Sequence, residues 1–125
     1  MPLAFWCVLA AGLMPIVVVG FAKADSSFDN AHPRDWLERQ EGFRKRAHAA
    51  HLNAFEAFPL FAAGVFVAMW QGAAQPTVDA MASGFLLFRI AYAWAYLTDR
   101  AMIRTLFWLA ATALSIGLFI VGAFA

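Results

Sequence analysis

Charge is scarce in this sequence. Asp, Glu, Lys and Arg together make up 14% of its 125 residues, where an ordinary soluble domain carries about 25%. Cysteine is nearly absent: Cys7 stands alone within an apolar run, so neither a disulfide nor a multi-cysteine metal site can form inside one chain. The formal net charge is only +1, which leaves no basic field to hold nucleic acid. The chain has no Walker-type glycine loop for a nucleotide, no low-complexity segment and no internal repeat. What it has in excess is apolar surface, with 63% hydrophobic residues before glycine is counted. A soluble fold of this length leaves too much of its surface in water to hide so many apolar side chains. A soluble globular domain, a disordered tail and a disulfide scaffold are therefore excluded, and a small multi-span membrane protein remains.

Crossing the hydrocarbon core takes about 20 apolar residues in a helix. Four such runs occur, at about 3–22, 49–70, 77–97 and 103–124, separated by a polar stretch at about 23–48 and two short breaks. The expected architecture is an all-α membrane protein, a single four-transmembrane-helix bundle over residues 1–125. Ala22-Lys23-Ala24 resembles a signal-peptidase site. However, no Lys or Arg precedes the first run, and the run exceeds the roughly 7–15 residues of a signal core, so a retained helix is expected, kinked at Pro15. Ser26 to Pro33 has turn chemistry. From Arg34 onward the residues favour one helix that starts in water and runs into the membrane. Thr98 or Asp99 is available to cap the last helix. Lys23, Arg34, Arg39, Arg44, Lys45 and Arg46 lie between the first two runs, Arg100 and Arg104 lie between the last two, and the middle break has no Lys or Arg. The positive-inside rule puts both basic loops in the cytoplasm and both termini outside.

Ionisable residues inside a span are costly and mark function by default. Glu56 and Arg89 are the two evident cases. Each lies seven or eight residues from the cytoplasmic end of its span, roughly 10–12 Å deep at 1.5 Å per residue. Neighbouring antiparallel helices would bring them level, so an ion pair is expected. Arg46, Asn53 and Glu56 share one side of the second helix by their spacing, and Arg89, Tyr92 and Tyr96 share one side of the third. With Arg104 at the start of the fourth, they outline a polar cavity for an anionic or zwitterionic ligand, guanidinium groups meeting carboxylates and Glu56 meeting an ammonium. A buried Glu–Arg pair that only fixes helix register is the plainer alternative, but it needs neither tyrosines nor further arginines. His48 and His51 share a face without a third ligand nearby, so no metal site is expected. Trp6, Trp70 and Trp108, near span ends, are expected as interfacial anchors.

Two strings carry a family resemblance. Asn53-Ala-Phe-Glu56-Ala-Phe-Pro-Leu-Phe61 reads N-x-x-E-x-F-P-L-F, and Arg89-Ile-Ala-Tyr92-Ala-Trp-Ala-Tyr96 reads R-x-x-Y-x-x-x-Y. Both resemble the MAPEG family, the membrane-associated proteins in eicosanoid and glutathione metabolism, and the likeness covers nearly the whole chain. It implies a MAPEG-like homotrimer of four-helix protomers with glutathione as co-substrate, bound between subunits near the cytoplasmic face. By position, Asn53, Glu56, Arg89, Tyr92 and Tyr96 match glutathione-contacting residues. Arg104 matches, with a one-residue loop shift, an arginine that stabilises the thiolate. Lys23 stands where relatives hold a glutathione carboxylate. Relatives also carry an arginine just before the Asn. Here Ala49, Ala50 and Leu52 occupy those places, with His51 beside them and Arg46 two turns earlier, so that contact is expected to be either missing or remodelled.

Asp29-Asn-Ala-His-Pro-Arg34 lies outside the eicosanoid-synthase pattern and suggests a bacterial-type member, hence a multi-pass protein of the bacterial inner membrane. The expected function is a glutathione-dependent transferase or peroxidase acting on lipophilic electrophiles that enter from the bilayer lipids. The alternative is a non-catalytic lipid- or glutathione-binding protein of the same fold. A carrier using Glu56 as its ion site needs access from both faces, and the first and fourth runs offer no polar path outward.

Overall fold

Proline, glycine and one left-handed aspartate punctuate the chain into five helices. The computed structural model describes residues 1–125, as α1 (Leu3–Lys23), α2 (Pro33–Glu38), α3 (Gly42–Trp70), α4 (Gln75–Leu97) and α5 (Ala101–Ala123). Pro33 opens α2 and Pro76 lies in the first turn of α4, where a missing N–H has no intrahelical partner to lose. Gly72 turns α3 into α4 at φ +83°. The helix expected to run unbroken from Arg34 is in fact two. α2 ends at Glu38, and Gly42 restarts the chain at φ +62°, a backbone shape that is cheap only without a Cβ. Neither expected cap forms at α5. Arg100 occupies the N-cap position without a side-chain bond. Thr98 Oγ1 instead donates back to the Trp94 carbonyl at 2.8 Å, and Asp99 takes the turn at φ 59°. Pro15 and Pro59 lie inside continuous helices.

α1, α3, α4 and α5 are each long and apolar enough to cross a membrane, and the chain is a multi-pass integral membrane protein of all-helical architecture. α3 and α4 pack against each other, and both also pack against α1 and α5. Without a hydrophobic drive between helices in lipid, close approach relies on small side chains. The core accordingly holds Ala4, Ala11, Ala68, Ala82 and Ala111, around a stacked Phe61–Phe85 pair whose ring centroids are 3.8 Å apart. At Gly64 a Cβ would stand 3.0 Å from the Ser115 carbonyl oxygen, so α3 and α5 touch there backbone to backbone. Leu13, Val17, Phe66, Leu87 and Leu106 face outward, toward lipid.

The short α2 is tied down as a strap. Trp36 and Leu37 are buried against Ala22 of α1 and Ala47 of α3. Arg44 reaches Asp25 at 3.5 Å and donates to the Ala24 carbonyl at 3.3 Å. In the connecting loop the Ser27 hydroxyl and backbone N–H hold the Asp25 carboxyl below its usual range, and the Ala31 N–H does the same for Asp29.

At the opposite end of the bundle, Asp79 is an acid within a spanning helix that the sequence reading passed over. Its Oδ1 accepts the Ala4 backbone N–H at 2.8 Å, so a residue of α4 satisfies one of the four orphan donors at the start of α1. Asp79→Ala is expected to destabilise the bundle by about 1 kcal/mol, the usual scale for losing a cap. Hydrogen exchange should quicken in the first turn of α1, while Asp79→Asn, which keeps the acceptor, should leave it protected.

Candidate functional site

The packing of α3, α4 and α5 leaves a groove toward the end of the bundle that carries α2. It comprises two cavities. The outer one, about 220 Å³, is lined by Asn53 of α3, Tyr92 and Tyr96 of α4, and Arg104, Thr105 and Trp108 of α5. The inner one, about 240 Å³, lies deeper along the same helices and includes Glu56, Leu60, Arg89, Thr112 and Ser115. Asn53 and Trp108 belong to both. The stretch of α5 from Arg104 through Trp108 to Thr112 advances four residues at a time, one face of a helix.

Arg89 is the buried centre of this arrangement, with 2% of its surface exposed. Its Nη2 donates to Asn53 Oδ1 at 2.8 Å, and its guanidinium carbon lies 4.2 Å from the centre of the Tyr92 ring, within cation–π range. The expected Glu56–Arg89 ion pair does not form: the chain's three ion pairs are His32–Asp29, Arg44–Asp25 and Lys45–Glu41. The reason is helical geometry. Three residues beyond Asn53 a helix has turned 60° short of a full circle, so Asn53 faces α4 while Glu56, exposed in the protomer, reaches only the rim of the inner cavity. The two charges line one cavity without meeting. Arg89 Nη1 is buried and has no hydrogen-bond partner.

In the outer cavity the Arg104 guanidinium carbon stands 4.4 Å from the Tyr96 ring centre, and the Tyr92 and Tyr96 rings meet edge to face, 5.7 Å apart. Asn53, Tyr92, Tyr96 and Arg104 thus come together, with a fixed cation on the α5 wall, an amide on α3 and two phenols on α4. Such a set can hold a carboxylate or a peptide backbone and stabilise an anion that develops beside Arg104.

Three sequence-predicted residues lie elsewhere. Arg46 Nε donates to the Leu97 carbonyl at 3.3 Å, closing the C-terminus of α4 as a cation favourably does, and it lines neither cavity. Lys23 and His51 line a third cavity of about 580 Å³ between α1, α2 and α3, together with Arg34, Glu38 and His48. His51 precedes Asn53 by two residues, or 200° of helix, so the two point to opposite sides of α3. The His51 ring donates from Nδ1 to the His48 carbonyl at 2.8 Å. Within one protomer, Lys23 and His51 are therefore not part of the Arg89 groove. No group of three or more potential metal ligands exists.

Trp108, 40% exposed, is a groove residue that sequence reasoning did not place there. Its position near a span end suggested a lipid anchor, yet it forms a wall of both cavities. The four-residue step from Arg104 was the signal that could have found it.

None of the curated proteins or solved structures compared with the chain matches it. The MAPEG family model does, over residues 3–124, which span all four membrane helices and every groove residue. With the N-x-x-E-x-F-P-L-F string on α3 and the R-x-x-Y-x-x-x-Y string on α4 meeting in one groove, and with that match over almost its whole length, the chain belongs to the MAPEG family.

Proposed function

We propose that the protein is an integral membrane glutathione-dependent transferase or peroxidase acting on lipophilic electrophiles. The observation that carries this reading is the outer cavity, where Arg104 stands beside Tyr96, with Tyr92 and Asn53 held in place from behind by the buried Arg89. Asn53, Glu56, Tyr92 and Tyr96 hold the tripeptide, and Arg104 stabilises its thiolate. A free thiol has a pKa of about 8.5 and reacts as the thiolate, so a neighbouring cation raises the reactive fraction. Arg89 acts as a positioning residue, since its Nη2 is bound to Asn53 and its guanidinium lies over the Tyr92 ring.

The opposed placement of the two polar faces of α3 supports a homotrimer. Lys23 and His51 line the cavity between α1, α2 and α3 and not their own groove, and in a ring of protomers that sets this cavity against a neighbour's groove Lys23 would supply the carboxylate contact that Ala49 leaves vacant. In the bacterial inner membrane the α2 side, which carries most of the basic residues, faces the cytoplasm, and both termini lie outside.

Titrating the detergent-purified protein with glutathione near neutral pH, while thiolate absorbance is followed, tests the reading. Saturable binding with thiolate formation supports an enzyme. Binding without thiolate supports a non-catalytic glutathione binder of the same fold, and absence of binding overturns both.

A further inference from the structure

Away from the groove, α4 turns a second face toward lipid. Trp94 stands two residues from both Tyr92 and Tyr96, or about 200° of helix, so it lies on the side of α4 opposite the cavity those phenols line. Leu87, Ile90 and Trp94 advance by three and four residues along that side, and all three are exposed. Trp94 is three residues before the end of α4 at Leu97, the level at which indoles sit among lipid headgroups. Above it the Arg100 guanidinium carbon lies 5.1 Å from the centre of the indole ring, within cation–π range. An exposed cation therefore heads an apolar strip, at the end of the bundle that carries α2. This cation has no carboxylate partner. The three ion pairs of the chain join other residues, and Asp99, turned by its φ of 59°, is in none of them. Arg46, on the Leu97 carbonyl, adds a second guanidinium at the same end.

We propose that this strip binds an anionic phospholipid, its phosphate held by Arg100 above the Trp94 indole and one acyl chain lying along Ile90 and Leu87. The dimensions agree. From Trp94 to Leu87 is about 10 Å along the helix, which stays within one leaflet of a hydrocarbon core about 30 Å thick. The headgroup charge follows from the unpaired cation. A zwitterionic headgroup brings its own ammonium to its phosphate and sets a like charge beside Arg100, whereas a headgroup with net negative charge supplies the missing counter-ion. Stacking on the indole holds the guanidinium plane in one orientation, so less freedom is lost when it meets the phosphate oxygens. None of Leu87, Ile90, Trp94 and Arg100 lines either cavity of the groove, and the site does not depend on the glutathione reading.

The test titrates the full-length protein in detergent, free of glutathione, with phosphatidylglycerol and with phosphatidylcholine of the same acyl chains. Native mass spectrometry reads bound lipid and the mass of the assembly together. Phosphatidylglycerol is expected to bind about fivefold more tightly, the effect of one basic residue at an anionic surface. Arg100→Gln and Trp94→Leu should each remove that preference, and Arg100→Lys should keep part of it. Lys45→Gln removes the same charge from an exposed side chain paired with Glu41 at 3.7 Å, and should leave the preference intact. Glycerophosphoglycerol, the same headgroup without acyl chains, should not compete, because it leaves the apolar strip unfilled. Equal binding of the two lipids overturns the proposal. So does a preference that survives both Arg100→Gln and Trp94→Leu, one that falls as far in Lys45→Gln, or competition by the chain-free headgroup. If Trp94→Leu breaks the assembly and leaves lipid binding unchanged, the strip belongs to a second copy of the chain and the proposal is likewise overturned.

Discussion

Replacing Arg104 by alanine is expected to leave glutathione bound but its thiol protonated at neutral pH. Thiolate absorbance should vanish, and turnover should fall by about 100-fold or more, the scale on which a single anion-stabilising donor is lost from an active site. The pH profile makes the cause visible. With Arg104 present the thiolate is already formed near neutrality. Without it, ionisation returns toward the free-thiol value of about 8.5, so the variant's activity should climb steeply between pH 7 and 9 while the wild type changes little. Arg104→Lys keeps a positive charge but loses the planar group stacked on Tyr96 at 4.4 Å, and it should fall between the two. A profile that is simply scaled down, with no shift along the pH axis, would assign Arg104 to positioning alone.

Asn53→Ala is expected to be the most destabilising single change in the groove. It removes the acceptor of Arg89 Nη2 and leaves two nitrogens of a 2%-exposed guanidinium without partners, since Nη1 already lacks one. Hydrogen bonds to charged groups contribute about 1.5–3 kcal/mol, and removing one partner of a buried polar pair exposes the desolvation of the other. A loss of about 2–3 kcal/mol should appear in denaturant titrations of the detergent-solubilised protein. Adding Arg89→Met to Asn53→Ala removes the stranded charge and should recover part of that stability, because an apolar side chain of similar length suits the interior better than an unpaired cation. Glutathione binding should not recover, since Asn53 and the stacking behind Tyr92 are both gone. If the double variant is less stable than Asn53→Ala by the full cost of Arg89→Met alone, the two residues are not coupled.

The two alterations separate what Arg104 and Arg89 do. Both are guanidinium groups in one groove, yet one faces the outer cavity over a tyrosine and the other is buried behind an amide. Their effects should differ accordingly, Arg104 on chemistry and the Asn53–Arg89 pair on structure and binding.

By itself the sequence determined the membrane class, the all-helical fold and the residue types of the groove. Long apolar runs admit few structures in lipid, because every backbone polar group must be satisfied within its own helix. Helical spacing likewise placed Tyr92 and Tyr96 beside Arg89 without any knowledge of the neighbouring helices. Three matters depended on how the helices are rotated about their axes, which spacing along one helix cannot give. Glu56 and Arg89 were rightly set in one groove, but a 60° difference in direction gave Arg89 to Asn53. Lys23 and His51 proved to face away from that groove, and Arg46 to close the end of α4. Trp108 read as an anchor because its depth in the membrane was legible and its direction was not. Only the packing of α5 against α3, brought close where Gly64 meets the Ser115 backbone, set that indole, 40% exposed, at the wall of both cavities.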